Sequence, residues 1–362
     1  MRVGVPTETK SGETRVAIAP AGVHALAARG HEVLVEAGAG RRAGIEDAEL
    51  ESAGARIVSG ADAWAADLVL KVKEPQADEL SLLRDNALFT FLHLAANPAL
   101  AAALVAAGTT ALSYDTVQLA DGSLPLLTPM SEVAGRLAVL AGAHHLLGPQ
   151  GGRGVLLAGV PGVPGARVTV LGAGVAGAQA IAQAAALGAD VTALDLSLAA
   201  LRRLDERHGG RVRTVASTAH AIEEAVRGSD LVIGAVLVPG RRAPTVVTHA
   251  MVESMPRGSV LVDIAIDQGG CFEDSRPTTH EDPVREVAGS QLYAVTNMPA
   301  AVGVTATRAL TNVTLPYVLR LADGVDDAVA ADPALAAGVN VRDGRIVHPA
   351  VAAALGEVPA RA

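Results

Sequence analysis

Arg167-Val-Thr-Val-Leu-Gly-Ala-Gly-Val-Ala-Gly177 decides the fold of this chain. The apolar run 167–171 predicts a strand, and the small and apolar residues of 175–187 predict a helix directly after it. Gly172, Gly174 and Gly177 stand between them as G-x-G-x-x-G. The first glycine permits a tight turn, the second lets a pyrophosphate approach the backbone, and the third lets helix and strand pack closely. The free N–H groups of the helix N-terminus then face the phosphates. In a chain with 38 glycines the motif alone says little. Its setting says more, because a second strand over 190–194 follows and Asp195 ends it. A carboxylate there accepts hydrogen bonds from ribose hydroxyls and repels a 2′-phosphate, which favours NAD over NADP. Arg202 and Arg203, one to two helical turns later, keep NADP in view.

Further strands are expected at 211–215, 231–236, 259–264 and 292–295, enough for a doubly wound sheet. Upstream, strands at 2–6, 33–37, 67–73 and 88–93 alternate with helices at 21–29 and 47–53, the pattern of a second parallel sheet. A long apolar helix over 133–147, with Ser131 as its expected N-cap, links the two. A Gly/Pro-rich stretch over 148–165 forms turns and loop. A helical run over 310–321 returns the chain to the first domain. The fold class is therefore α/β, with two doubly wound, mostly parallel-sheet domains. A substrate-binding domain is expected at 1–127 and 305–362, and a Rossmann dinucleotide-binding domain at 128–304.

Half the residues are hydrophobic and only 2 % aromatic, so Ala, Val, Leu and Ile must fill the cores. The net charge of −9 offers no basic excess to nucleic acid or to an anionic membrane. One cysteine, Cys271, excludes an internal disulfide and suits a reducing compartment. No secretory signal or membrane-spanning run is visible, so a cytoplasmic protein is expected.

Lysine is scarce: only Lys10, Lys71 and Lys73 occur among 29 basic residues. Such scarcity leaves lysine where a compact, burial-tunable ammonium matters. Ligands of open α/β sheets bind beyond the carboxyl ends of the strands. Polar residues expected there are Lys73, His93 and Asp267, with Arg15 after the turn 11–13. Each has a plain alternative. Arg15 and Lys73 could be surface ion-pair partners, and Lys71 shares a strand face with Lys73. His93 could be a core histidine, and Asp263 competes with Asp267. Cys271 reads as a small buried residue. No spacing suggests a metal site, and no G-x-S-x-G elbow occurs.

These motifs closely resemble the alanine dehydrogenases, which share a fold relationship with the alpha subunit of proton-translocating transhydrogenase. The likeness runs through Met1-Arg-Val-Gly-Val-Pro-Thr-Glu-Thr-Lys10, Arg15-Val-Ala-Ile-Ala-Pro20 and Leu70-Lys-Val-Lys-Glu-Pro75. It continues in Phe89-Thr-Phe-Leu-His-Leu-Ala95, Pro129-Met-Ser-Glu-Val-Ala-Gly135 and Val262-Asp-Ile-Ala-Ile-Asp-Gln-Gly-Gly270. The resemblance implies NAD-dependent interconversion of L-alanine with pyruvate and ammonium, by a homohexamer. It implies that Arg15 and Lys73 hold the substrate and that His93 and Asp267 form the catalytic pair. It places Ser131, Asp195, Ser217, Asn297 and Met298 at NAD. One stretch departs: after Val302 the family commonly has Pro, a basic residue, Thr, Ser, Thr, and this chain has Gly303-Val-Thr-Ala-Thr307. That run is expected to be a loop. The nearest alternative is a transhydrogenase-type NAD-binding subunit.

Overall fold

The computed structural model describes residues 1–236 and 243–356. They form two compact units, Met1–Met130 with Ala300–Ala362, and Ser131–Pro299. The expected boundaries were 127/128 and 304/305. The helix Thr128–His145 carries the chain from the first unit into the second. Ser131 therefore lies inside this helix and is not its N-cap, because Thr128 and Pro129 already adopt helical geometry ahead of it.

Six parallel strands open the first unit: β1 (Arg2–Val5), β2 (Glu32–Glu36), β3 (Ala55–Val58), β4 (Leu68–Leu70), β5 (Ala87–Thr90) and β6 (Thr110–Ser113). The second unit contributes β7 (Arg167–Leu171), β8 (Asp190–Asp195), β9 (Val212–Ala216), β10 (Leu231–Gly234), β11 (Val260–Asp263), β12 (Val284–Val287) and β13 (Ser290–Tyr293). The chain then supplies β14 (Val339–Arg342) and β15 (Arg345–Ile346) to the first sheet. The sheet orders are β15-β14-β6-β5-β4-β1-β2-β3 and β12-β13-β11-β10-β7-β8-β9. In each, the chain runs outward on one side of a central strand and returns on the other. The order therefore reverses between β1 and β4, and between β7 and β10. Those are the switch points beside which α/β sheets bind ligands.

Both sheets are covered on both faces, as parallel strands require. Leu68 and Leu70 join one apolar cluster while Val69, between them, joins another with Trp64 and Leu104. In the second unit Leu231 and Ile233 face one cluster and Val232 the other. Burying each such side chain contributes about 1.5–3 kcal/mol.

Three strands expected to end at site residues are shorter than their apolar runs, β5 among them, which ends at Thr90, short of His93. β4 ends at Leu70, short of Lys73, and β11 ends at Asp263, so Asp267 lies in the 3₁₀ turn Ile264–Gln268. The run 303–307 is the start of the helix Gly303–Asp323 and not a loop. There Thr307 accepts a hydrogen bond from the Val16 N–H at 3.2 Å, which fixes the helix against the segment carrying Arg15.

Candidate active site

In the second unit the glycine turn leaves β7 with Gly172 at φ +101°, in the left-handed region. A Cβ on Gly177 would lie 1.8 Å from the Gly172 carbonyl oxygen, so the helix Val175–Ala186 rests directly on the turn. A Cβ on Gly174 would meet nothing within 4 Å. The second glycine thus borders open space at the helix N-terminus, where a phosphate could approach the backbone.

Asp195, the last residue of β8, accepts the Ala173 N–H and the Ser197 N–H, each at 2.6 Å. It ties the turn to the neighbouring strand end and remains half-buried. Each carboxylate oxygen keeps a lone pair for another donor. The Ser217 N–H reaches the Asp195 carbonyl at 3.0 Å, so these two expected cofactor residues are brought together. Asn297 follows β13 with φ +61° and is half-buried. Met298 is 4 % exposed, its side chain packed in the apolar cluster with Val262 and Tyr293. Ser131 is half-buried in its helix.

At the end of β11, Asp263 is fully buried and accepts the Ala265 and Cys271 N–H groups, both at 2.9 Å, as well as the Ser275 hydroxyl. Burial pushes its carboxyl above the ordinary range, with the Ser275 and Cys271 hydrogen bonds opposing. Asp263 therefore closes the turn 264–270, and the exposed Asp267 is the carboxylate it presents. Cys271 is buried as expected, and burial raises its thiol well above its usual value.

In the first unit, polar residues gather at the carboxyl ends of β1, β4 and β5. Arg15 is 3 % exposed, and its Nε lies 2.7 Å from Glu13 Oε1, so the surface ion-pair alternative fails. Its Nη1 donates to Met130 Sδ at 3.0 Å. Thr14 donates to the Ala300 carbonyl, which pins the loop beside it.

All three lysines lie at these strand ends. Lys10 pairs with Glu74. Lys71 is wholly buried, with Glu79 at 2.9 Å, Glu8 at 3.4 Å and the Trp64 ring centroid at 5.7 Å. Burial would lower its pKa, but the two carboxylates more than offset that and raise it. Lys73 is 6 % exposed, and its carbonyl accepts the Thr90 hydroxyl at 3.0 Å. The two lysines are thus separable. One neutralises an internal cluster and the other lies three residues beyond the end of β4.

Glu74, beside Lys73, was not anticipated. Its Oε2 is buried without a hydrogen-bond partner among the described residues. Burial raises its pKa, but Lys10, Lys73 and His93 together bring it below the ordinary value.

His93 is no core histidine, since its side chain is 40 % exposed. Its backbone is left-handed, φ +46°, a strain of roughly 1–3 kcal/mol of the kind that collects at functional sites. Its ring stacks on Phe91, 5.9 Å between centroids, and its Nδ1 lies 3.8 Å from Asp115 Oδ2. Asp115 also went unread in the sequence. It accepts the Leu92 N–H at 3.3 Å and the Ser113 hydroxyl. Its one signal is its place just beyond β6, a strand not foreseen.

The profile of the alanine dehydrogenase/PNT N-terminal domain matches residues 4–134, and that of the C-terminal domain matches 138–349. The chain is 57 % identical over 360 residues to an alanine dehydrogenase of Mycobacterium tuberculosis, covering 98 % of this chain and 97 % of that one. A solved L-alanine dehydrogenase superposes with a TM-score of 0.96 at 50 % identity, over 99 % of this chain and 100 % of the other. A transhydrogenase from Sinorhizobium meliloti follows with a TM-score of 0.81 at 31 % identity, over 97 % and 100 %. The chain belongs to the alanine dehydrogenase/PNT family.

Proposed function

We infer that this protein catalyses the NAD-dependent, reversible oxidative deamination of L-alanine to pyruvate and ammonia. What carries the reading is full-length likeness to alanine dehydrogenases together with Arg15, Lys73 and His93 at adjoining strand ends. The glycine turn fits a dinucleotide: Gly174 borders open space where a side chain would stand, and Asp195 is fixed at the neighbouring strand end.

NAD, when bound, supplies the hydride acceptor. Gly172, Gly174 and Gly177 would seat its pyrophosphate, Asp195 its adenosine ribose, with Ser131, Ser217, Asn297 and Met298 around it. Arg15, already oriented by Glu13, forks the substrate carboxylate. Lys73 holds the carboxylate or the carbonyl oxygen as charge develops on it. His93 donates and accepts protons during water addition to the imine and loss of ammonia. Asp267 orients that water or takes its proton. Among the described residues no helix is long and apolar enough to cross a membrane. We place the protein in the cytoplasm, as a homohexamer.

The test is to incubate the protein with L-alanine and NAD and to follow NADH absorbance, then to run pyruvate, ammonium and NADH in reverse. A transhydrogenase-type subunit would show neither reaction but would pass reducing equivalents to a second nucleotide.

A further inference from the structure

β1 and β4 are paired only through Val3↔Leu68 and Gly4↔Val69. Beyond that point the two strands part, as they must at a switch point, and the pairing with β1 stops short of Val72 and Lys73. On the other side the ladder to β5 continues, with Lys71 N–H donating to Phe89 and Phe91 N–H donating to Val72. Both amides are met by one side chain. Glu8, three residues past β1 and 3 % exposed, accepts Val72 N–H on Oε1 at 2.6 Å and Lys73 N–H on Oε2 at 3.1 Å.

Charge pairing with Lys71 is only part of what this carboxylate does. Lys71 already has Glu79 at 2.9 Å, closer than Glu8 at 3.4 Å. A second buried carboxylate beside one ammonium costs several kcal/mol in desolvation. The two amides are what it gains in return, and they belong to the segment that ends in Lys73. With Thr90 holding the Lys73 carbonyl, that residue's backbone is fixed on both sides.

We propose that Glu8 is a positioning residue for substrate binding: by bridging the Val72 and Lys73 amides across the parted strands, it holds Lys73 where it engages the substrate carboxylate. The proposal rests on Lys73 being the substrate-binding lysine.

The experiment compares Glu8→Gln, Glu79→Gln and Lys73→Met in the full-length protein. It measures KM and kcat for alanine and pyruvate, NADH affinity by fluorescence, and Tm. Glutamine in place of Glu8 can accept only one of the two amides. KM for both substrates should rise roughly 10–100-fold, the scale of effect when a substrate-holding group is slightly misplaced. kcat should change far less and NADH affinity should stay at the parental value. Glu79→Gln disturbs the same buried ion cluster but neither amide, so it should lower Tm while its KM values stay within about twofold.

Equal KM increases in the two glutamine variants, or parental KM in Glu8→Gln, overturn the proposal. If Glu8→Gln does not fold, Glu8→Asp takes its place. It keeps the charge for Lys71 but is one methylene too short to span both amides, and parental KM in that variant is equally fatal. Lys73→Met separates the two levels. If it still oxidises alanine, the Lys73 assignment fails and takes the proposal with it. If it is inert while Glu8→Gln behaves as the parent, only the role of Glu8 is lost.

Discussion

Gly174→Ala and Gly177→Ala should move stability in opposite directions while both weaken NADH binding. At Gly174 the backbone has φ −68° and ψ −165°, extended geometry that alanine adopts freely, and its new methyl would touch nothing within 4 Å. Losing glycine's freedom in the unfolded chain should then stabilise the fold by about 0.4–1 kcal/mol. The same methyl would fill the space through which a pyrophosphate approaches the backbone. NADH affinity should fall about tenfold or more, equivalent to roughly 1.4 kcal/mol. At Gly177 the methyl would lie 1.8 Å from the Gly172 carbonyl oxygen, so the helix must retreat by roughly 1 Å. Overpacking of that kind costs about 1–3 kcal/mol, and the displaced turn should bind NADH poorly as well. Urea unfolding gives the stabilities and NADH fluorescence gives the affinities. Gly174→Ala binding NADH as tightly as the parent would refute the reasoning, because the open space would not be the phosphate seat.

Asp195→Asn should weaken NAD binding and narrow the preference against NADP, measured as the ratio of the two KM values; an unchanged ratio removes Asp195 from the ribose. His93→Ala should lower turnover roughly 10²–10⁴-fold with NADH affinity intact, and near-parental turnover would disprove its acid–base role. Lys71→Met should destabilise the fold by about 3–5 kcal/mol in urea, since Glu8 and Glu79 would be left buried without their cation. Burial depresses the pKa of His208 below its ordinary 6.5, with Arg207 and Arg211 adding to the effect. The unfolded chain therefore binds a proton first as pH falls, so stability is full above about 6.5 and declines below it. His208→Gln should flatten that decline between pH 7.5 and 5.5; an unchanged slope would place its origin elsewhere.

The dinucleotide turn was legible because its whole argument is local: strand, glycines, helix and carboxylate follow within thirty residues. Asp195 stands at the strand end where spacing put it. The strand ends around the chemistry were less legible. Ile264, Ala265 and Ile266 continue the apolar run of β11 but have left its ladder, whereas Lys71 and Val72 continue that of β4 while keeping hydrogen bonds to Phe89 and Phe91 and none of the pairing with β1. Hydrophobic pattern cannot tell a strand from a buried irregular segment that prolongs it. For the same reason Asp263 and Asp267 were not distinguishable, although one is sealed inside and the other exposed. Glu8 and Asp115 escaped for a different reason. Their partners lie 64 and 23 residues away, and only the folded sheet brings them together. β14, Val339-Asn-Val-Arg342, alternates but is only four residues long, and the edge strand β15 has two, so sequence pattern marks both poorly.

The first unit is assembled from two stretches separated by the whole of the second, and this imposes an order on its synthesis. β6 has no outer neighbour until β14 emerges, and Leu310, Val318 and Leu321 complete the same apolar cluster as Val3 and Val5. Everything from 131 to 299 must leave the ribosome between the two parts, which at about 5–20 residues per second takes on the order of ten seconds or more. At the end of that interval the second unit, continuous in sequence, has all its strands available, while residues 1–130 still wait with one sheet edge and one apolar face uncovered. The nascent amino-terminal segment is thus the part of this protein most exposed to aggregation and to chaperone capture, although in the finished fold it holds some of the most deeply buried residues.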